Sequence, residues 1–210
     1  EEVEEIEKGE KIHKIKENIR FENVHFNFGN KSVFKNLNLE VKKGETIAIV
    51  GSSGSGKSTL INILLGIYEV DRGEILVDSK NIKKYKKSNI RNIINLISQE
   101  TILFNDSITN NITLGEKYSF EEVKNACQKA NASEFIEQLE NKYNYQITEY
   151  GQNISVGQKQ RINIARTIIK NPDVLIFDEA TSSLDQESEK KIFQLLKNLV
   201  EEKTSIIISH

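Results

Sequence analysis

A glycine-rich run that ends in a lysine and two hydroxyl residues has the composition of a phosphate-binding loop. Its members fit Gly-x-x-x-x-Gly-Lys-Ser/Thr and are Gly51, Ser52, Ser53, Gly54, Ser55, Gly56, Lys57 and Ser58, with Thr59 next. Glycines let the backbone turn its N–H groups inward around phosphate oxygens, and a following helix adds its positive end. We expect Lys57 to reach the β and γ phosphates, Ser58 to supply a hydroxyl to Mg²⁺ and Thr59 to contact a phosphate.

The position of this run favours a phosphate loop over an ordinary flexible Gly/Ser turn. The apolar residues Thr46–Val50 precede it and predict a buried strand. An apolar-periodic stretch with Leu60, Ile61, Leu64 and Leu65 follows it and predicts a helix. Strand, loop and helix in this order are the context that the motif requires.

Two adjacent carboxylates, Asp178 and Glu179, follow the apolar run Val174–Phe177. In phosphate-loop enzymes the first acid at such a strand end holds the metal, usually through water. The second is placed to polarise an attacking water as general base. Two acids after a strand carry no meaning alone, but together with the phosphate loop they predict hydrolysis of a nucleoside triphosphate.

The elements that must position these groups alternate between strand and helix. Beside the strands already named, Glu74–Val77, Ile93–Ile97 and Ser205–Ile208 are strand candidates. Helix signals cover Gln158–Lys170, which Asn171-Pro172 ends, and a later stretch that Asp185 can cap. The alternation predicts an α/β fold with a parallel sheet covered on both faces.

Two further regions interrupt the alternation. Val24, Phe26 and Phe28 alternate with polar residues, and a similar pattern follows the Gly29-Asn30 turn, which predicts an N-terminal antiparallel β region. From about residue 99 the chain becomes helical and polar, with Ser119 and Glu122 forming a capping box for a helix through Ala130. We expect this second region to be an inserted helical subdomain over about residues 99–166.

The composition of the chain disfavours two classes of function, nucleic-acid binding and direct insertion into a membrane. Lys and Arg total 29 against 31 Asp and Glu, a net charge of −2 that gives no general attraction for nucleic acid. Apolar runs are far shorter than the roughly 20 residues that cross a bilayer, so we expect no direct membrane insertion. The single cysteine, Cys127, is expected to be a small, half-buried side chain and not a reactive thiol. Residues 1–19 predict a solvated linker, and the absence of Met suggests a segment of a longer protein.

From Phe21 to His210 the sequence resembles an ATP-binding-cassette (ABC) ATPase, because matching elements occur in that family's order. The resemblance implies a P-loop NTPase fold with a RecA-like core, ATP and Mg²⁺ as ligands, and a domain over residues 20–210 whose C-terminal end is truncated. It implies that Phe28 stacks on adenine and that Gln99 contacts Mg²⁺ and the attacking water. His210 matches the histidine that contacts the γ-phosphate and positions the catalytic carboxylate.

The segment Ile154–Gln158 resembles the family's signature motif, usually Leu-Ser-Gly-Gly-Gln. The resemblance implies that Ser155, Gly157 and Gln158 contact the ATP held by a second copy of the domain. Val156 replaces a glycine and adds a β-branched side chain, but Val also resembles one branch of the family at this position, so we expect function to survive with weaker closure of the two subunits. Ser155 also suits the N-cap of the next helix. Ser182-Ser183-Leu184-Asp185 matches the loop by which the two subunits communicate.

Two stretches resemble the exporter branch of the family. Leu103–Ile108, continuing to Asn111-Ile112, is similar to the exporter segment after the glutamine. Thr148–Gly151 is similar to the exporter coupling loop, although Tyr150 stands where Arg is usual. The resemblance therefore implies a transmembrane-domain partner, an ATP-dependent head-to-tail dimer and a location at the cytoplasmic face of a membrane.

Two alternatives stay open from the sequence. One is a non-transport relative that acts on chromosomes, in DNA repair or in translation, although the chain has neither heptads nor basic runs. The other is a non-hydrolysing nucleotide-binding module of an asymmetric pair, which Val156 favours and the presence of Glu179 and His210 disfavours.

Overall fold

A computed structural model of the chain describes residues 9–98, 100–178, 186–201 and 203–209, with the side chains at 186–188 and 191 excepted. The elements in chain order are β1 Asn18–Phe28, β2 Lys31–Lys42, β3 Thr46–Val50, α1 Lys57–Leu64, β4 Arg72–Val77, β5 Lys80–Asn81, α2 Lys87–Ile93, β6 Ile94–Ser98, α3 Ile108–Thr113, α4 Phe120–Lys129, α5 Ser133–Gln138, α6 Val156–Lys170, β7 Val174–Asp178, α7 Gln186–Glu201 and β8 Thr204–Ser209. The chain divides into two compact units, the first within residues 1–95, 173–176 and 202–210, the second within 96–172 and 177–201.

The N-terminal strands form the antiparallel sheet that the alternating pattern predicts. Its order is β2-β1-β4-β5, and β1 pairs antiparallel with both β2 and β4. The predicted turn at Gly29-Asn30 joins β1 to β2, with Gly29 at φ 58°. Ile19, Phe21, Val24 and Phe26 are buried, so one face of β1 supplies part of the core.

A second sheet has the order β3-β8-β7-β6. Strands β3 and β8 are parallel, with Thr46 opposite Ser205 and Val50 opposite Ser209. Four consecutive residues of β7, Val174–Phe177, are buried, as expected for a strand covered on both faces. The parallel sheet and the antiparallel sheet predicted from the sequence are therefore both present.

In the second unit, α6 packs against α3 and α4. Helix α4 has the predicted capping box, whose backbone and side-chain hydrogen bonds from Ser119 lower the pKa of the Glu122 carboxyl. Cys127 of α4 is fully buried, more deeply than the half-buried position expected, and burial raises its thiol pKa to about 12, which agrees with an unreactive thiol. Across the described residues, no helix combines the length and the apolar character that spanning a bilayer requires.

The stretch before β1 differs from the expected solvated linker. Ile12, Ile15 and Ile19 are buried. Asp173 Oδ2 accepts a hydrogen bond of 2.6 Å from the Ile15 N–H, and Asp78 Oδ2 accepts one of 2.8 Å from the Lys16 N–H. Apolar side chains spaced among Glu and Lys residues therefore fix this stretch, from Ile12 onward, to the first unit.

Candidate active site

The glycine-rich run connects β3 to α1 as predicted, and all of its residues, Gly51 through Thr59, lie in the first unit. Gly54 and Gly56 have positive φ angles of 78° and 99°, and the Ser55 N–H donates to the Ser52 carbonyl oxygen at 3.1 Å. Ser52, Ser53, Ser55 and Ser58 are exposed, whereas Thr59 is half-buried. An exposed, hydrogen-bonded turn of this kind can present backbone N–H groups to an anion.

Gly56 leaves no room for a side chain. A Cβ at this position would lie 2.8 Å from Val33 Cγ1 and 3.0 Å from Phe34 Cε1, and both residues belong to β2. A Cβ at Gly51 would lie 2.8 Å from Ser55 Oγ. The loop is therefore closed tightly on itself at Gly51 and against the antiparallel sheet at Gly56.

The lysine of the motif is held against the loop. Lys57 is buried, and its Nζ donates to the carbonyl oxygens of Gly51 and Ser52, the latter at 3.2 Å. Helix α1 begins after Gly56 with no side-chain capping hydrogen bond and no acidic residue in its first turn. The positive helix end and the lysine therefore act together at the loop, an arrangement suited to phosphate.

An aromatic cluster lies at the end of β1 in the same unit. The Phe28 ring is 59% exposed and makes edge contacts with Phe26 at 6.3 Å and Tyr68 at 5.7 Å between ring centroids. Its exposure suits stacking on a base. Sequence reasoning identified Phe28 but missed Tyr68, because only the fold brings the residues after α1 to the end of β1.

The signature-like segment forms the N-terminus of α6 in the second unit. Ser155 caps the helix: its Oγ accepts from the Gln158 N–H at 3.2 Å, and Gln158 Oε1 accepts from the Ser155 N–H at 2.9 Å. The predicted N-cap is thus confirmed, but the helix begins at Val156 rather than at Gln158. Val156 is 53% exposed in the first helical turn, while Gly157 is buried.

The exporter-like coupling stretch is an exposed, hydrogen-bonded turn ahead of α6. Glu149–Gly151 forms a short 3-10 helix in which Tyr150 has a φ of 56°. The Tyr150 carbonyl oxygen accepts a hydrogen bond of 2.7 Å from Lys159 Nζ, and Asn153 Oδ1 accepts one of 3.0 Å from the Thr148 N–H. The exposed Glu149 and Tyr150 side chains can therefore meet a partner.

The other exporter-like stretch combines a buried polar hub with an exposed apolar side chain. Asn111 is fully buried; its Oδ1 accepts from the Phe104 N–H at 2.8 Å, and its carbonyl oxygen accepts from Arg166 Nε at 2.8 Å. Arg166 also lies 5.9 Å from the centroid of the exposed Phe104 ring. The hub, which sequence reasoning did not identify, holds Phe104 in an exposed position.

Some of the predicted site residues lie outside the part of the chain that the structure describes. Asp178 is the last residue of β7 and is half-buried. Gln99, Glu179, the loop 182–185 and His210 lie outside the described residues. Among the residues that the structure describes, no three His, Cys, Asp or Glu side chains group into a metal site.

Comparisons with known proteins agree with this geometry. A family model described as ABC transporter matches residues 34–182. The ATP-dependent lipid A-core flippase of Pasteurella multocida is 46% identical over 91% of this chain, and the multidrug resistance protein pgp-1 of Caenorhabditis elegans is 44% identical over 96%. The chain spans 34% and 16% of those two relatives.

A solved structure gives the same result. The structure of a bacterial Atm1-family ABC exporter with ATP bound superposes with a TM-score of 0.86, at 35% identity, over 98% of this chain and 36% of that one. The resemblance drawn from the motifs is thereby confirmed. Because the family model matches most of its length, the chain belongs to the ABC transporter family.

Proposed function

We propose that this chain is the nucleotide-binding domain of an ABC exporter, in which it binds and hydrolyses ATP to power export across a membrane. The observation that carries the proposal is the phosphate loop, with its left-handed glycines, its buried lysine and the uncapped α1 N-terminus. These features provide donors and positive charge for a triphosphate. The similarity to a solved ABC exporter supports the direction of transport.

In this proposal the loop from Gly51 to Thr59 holds the phosphates and Phe28 stacks on adenine. Lys57 exchanges its bonds to the Gly51 and Ser52 carbonyls for bonds to the β and γ phosphates. Glu179 takes a proton from the attacking water, while His210 contacts the γ-phosphate and positions that carboxylate. Water attacks the γ-phosphorus in line, and ADP leaves from the opposite side.

The residues present fit a magnesium ion bound together with the nucleotide. Mg²⁺ in such sites takes one or two protein oxygens and completes its shell with phosphates and water, so a group of three protein carboxylates is not needed. The exposed hydroxyl of Ser58 and the amide oxygen of Gln99 would supply these oxygens, and Asp178 would hold the ion through a water molecule. The ion would neutralise charge that develops on the phosphate oxygens.

The second half of each site is proposed to come from another copy of the domain. The N-terminus of α6 has no acidic residue in its first turn, and Ser155 at its N-cap is exposed, as a γ-phosphate contact requires. Ser155, Gly157 and Gln158 would approach the ATP held by the opposite subunit. Two domains then close head to tail over two ATP molecules.

A transmembrane domain is the proposed mechanical partner, at the cytoplasmic face of a membrane. The relatives are about three to six times longer than the matched region, which leaves length for membrane-spanning segments. The exposed Ile102, Phe104 and Tyr150 side chains provide apolar surface for contact with it. The transporter names of the relatives and the net charge of −2 do not favour a chromosomal or ribosomal role.

Replacing Glu179 by Gln tests hydrolysis. We expect the full-length Glu179→Gln protein to bind ATP as tightly as the unmutated protein but to release phosphate at least about a hundredfold more slowly, because the general base is lost. Glu189→Gln, a change at an exposed α7 residue, is the matched control and should hydrolyse ATP normally. Unchanged phosphate release by Glu179→Gln would refute the assignment of the base, whereas no phosphate release by the unmutated protein would favour the non-hydrolysing alternative.

A further inference from the structure

Three aromatic rings of the first unit form a closed cluster. Tyr68 stacks on Phe26 with a centroid distance of 5.7 Å and an interplanar angle of 19°. The same tyrosine meets Phe28 nearly at a right angle, at 5.7 Å and 79°. Phe26 is buried and Phe28 is exposed, so half-buried Tyr68 connects the core to the exposed ring.

Hydrogen bonds fix the loop that carries Tyr68 to the end of β1. Asp71 Oδ2 accepts from the Asn27 N–H at 2.7 Å and from Asn27 Nδ2 at 3.0 Å. The Asp71 N–H donates to the His25 carbonyl oxygen at 3.0 Å. These bonds reach the residues on either side of Phe26, so the loop and the strand end move as one piece.

The same loop is fixed to the helix that begins at the phosphate loop. The N–H groups of Ile67 and Tyr68 donate to the Asn62 carbonyl oxygen at 2.8 Å and 3.2 Å. Asn62 belongs to α1, whose first residue is Lys57. One short segment therefore joins the aromatic cluster to the C-terminal end of the phosphate-binding helix.

Phe28 has no hydroxyl group through which a hydrogen bond could set the tilt of its ring. Only ring packing can hold it, and an exposed phenylalanine with few neighbours samples several rotamers. We propose that Tyr68 is a positioning residue that holds the Phe28 ring ready for stacking on the adenine of ATP. This inference rests on the proposed ATP site and adds a residue to it.

The test compares ATP with inorganic tripolyphosphate, which has the phosphates and no base, in the presence of Mg²⁺. In the full-length protein, Tyr68→Leu should weaken ATP binding about three- to tenfold. This loss corresponds to the free energy of an edge-to-face aromatic pair. Its affinity for tripolyphosphate should stay within about twofold of the unmutated protein, because the phosphate loop is intact.

Three further variants separate positioning from a general structural role. Tyr68→Phe keeps the ring and should bind ATP like the unmutated protein. Phe193→Leu removes an exposed aromatic side chain from α7, outside the cluster, and should change neither ligand's affinity. In a Phe28→Leu background the further change Tyr68→Leu should have no additional effect, because the ring that it positions is gone.

The inference is overturned if Tyr68→Leu binds ATP normally, if it weakens both ligands equally, or if its effect persists without Phe28. Those results leave ATP binding by the unmutated protein intact and so leave the proposed function standing. Absence of magnesium-dependent ATP binding by the unmutated protein would overturn the proposed function and this inference together.

Discussion

At the scale of single residues, Gly56 shows how the phosphate loop depends on a missing side chain. Its φ of 99° lies in a region that residues with a Cβ rarely adopt, and β2 occupies the space where a Cβ would lie. Both constraints act at the residue before Lys57. The motif therefore reflects packing against the antiparallel sheet as well as approach to phosphate.

Gly56→Ala should weaken magnesium-dependent ATP binding by about tenfold or more, because strain of roughly 1–3 kcal/mol must be relieved by moving the loop. Gly44→Ala is the matched control: Gly44 also has a positive φ, of 76°, but a Cβ there meets nothing within 4 Å. The control should lose some stability and keep its ATP affinity. Titration with ATP measures the affinity of both variants, and normal ATP binding by Gly56→Ala would contradict this expectation.

At the scale of elements, α4 and α6 begin with the same device. Each has a serine N-cap and a glutamate or glutamine at the third helical position, and both reciprocal hydrogen bonds are present. Only α6 carries the signature-like segment. The pair therefore allows the capping role of Ser155 to be separated from its proposed role at the γ-phosphate.

Ser119→Ala and Ser155→Ala should each lower the stability of the folded protein by about 1 kcal/mol, the usual cost of a lost N-cap. Only Ser155→Ala should also slow ATP hydrolysis by the full-length protein, because the proposed contact with the opposite ATP is lost. Urea denaturation and phosphate release measure the two effects. Equal rates of ATP hydrolysis by the two variants would show that Ser155 only caps α6.

Elements with a long periodic pattern and short apolar strands could be predicted, whereas short helices could not be placed. The alternation from Val24 to Phe28 predicted β1 but not its start at Asn18, whereas the capping box predicted both α4 and its start. Helices α2, α3 and α5 have seven, six and six residues, fewer than two turns, so an apolar period cannot emerge from their sequences. The helix signals placed the start of α6 at Gln158, two residues later than its actual start at Val156, although Ser155 was recognised as a suitable N-cap.

At the scale of the molecule, the residues before β1 show that a segment rich in charged residues can still pack against the core. Glu and Lys dominate residues 1–19, but the buried isoleucines at 12, 15 and 19 reach the core of the first unit. Ile15 is 2% exposed. Long-range partners such as Asp173, 158 positions away, cannot be read from local sequence.

Ile15→Ala should destabilise the chain by about 2–5 kcal/mol, the cost of a cavity left by a buried isoleucine. Ile67→Ala removes the same atoms from a side chain that is 56% exposed and should cost well under half of that. Thermal and urea unfolding of both variants provide the comparison. Equal midpoints would show that the N-terminal stretch does not contribute to the fold.

The residues of the candidate site also differ in whether the local sequence or only the fold identifies them. The phosphate loop, Phe28 and the N-cap Ser155 each have a local signal, and the structure gives each a suitable local setting. Tyr68 and Asn111 have no such signal, because their importance comes from neighbours that only folding supplies.

Calorimetric titration with ATP and Mg²⁺ tests the central claim most directly, since the whole account depends on phosphate binding at Gly51–Ser58. The unmutated protein should bind, and Lys57→Ala should lose at least about tenfold in affinity because a charge-assisted contact to the phosphates is gone. Lys43→Ala, at an exposed lysine of a distant turn, should bind normally. Wild-type affinity in Lys57→Ala, or no heat of binding in the folded unmutated protein, would contradict the account.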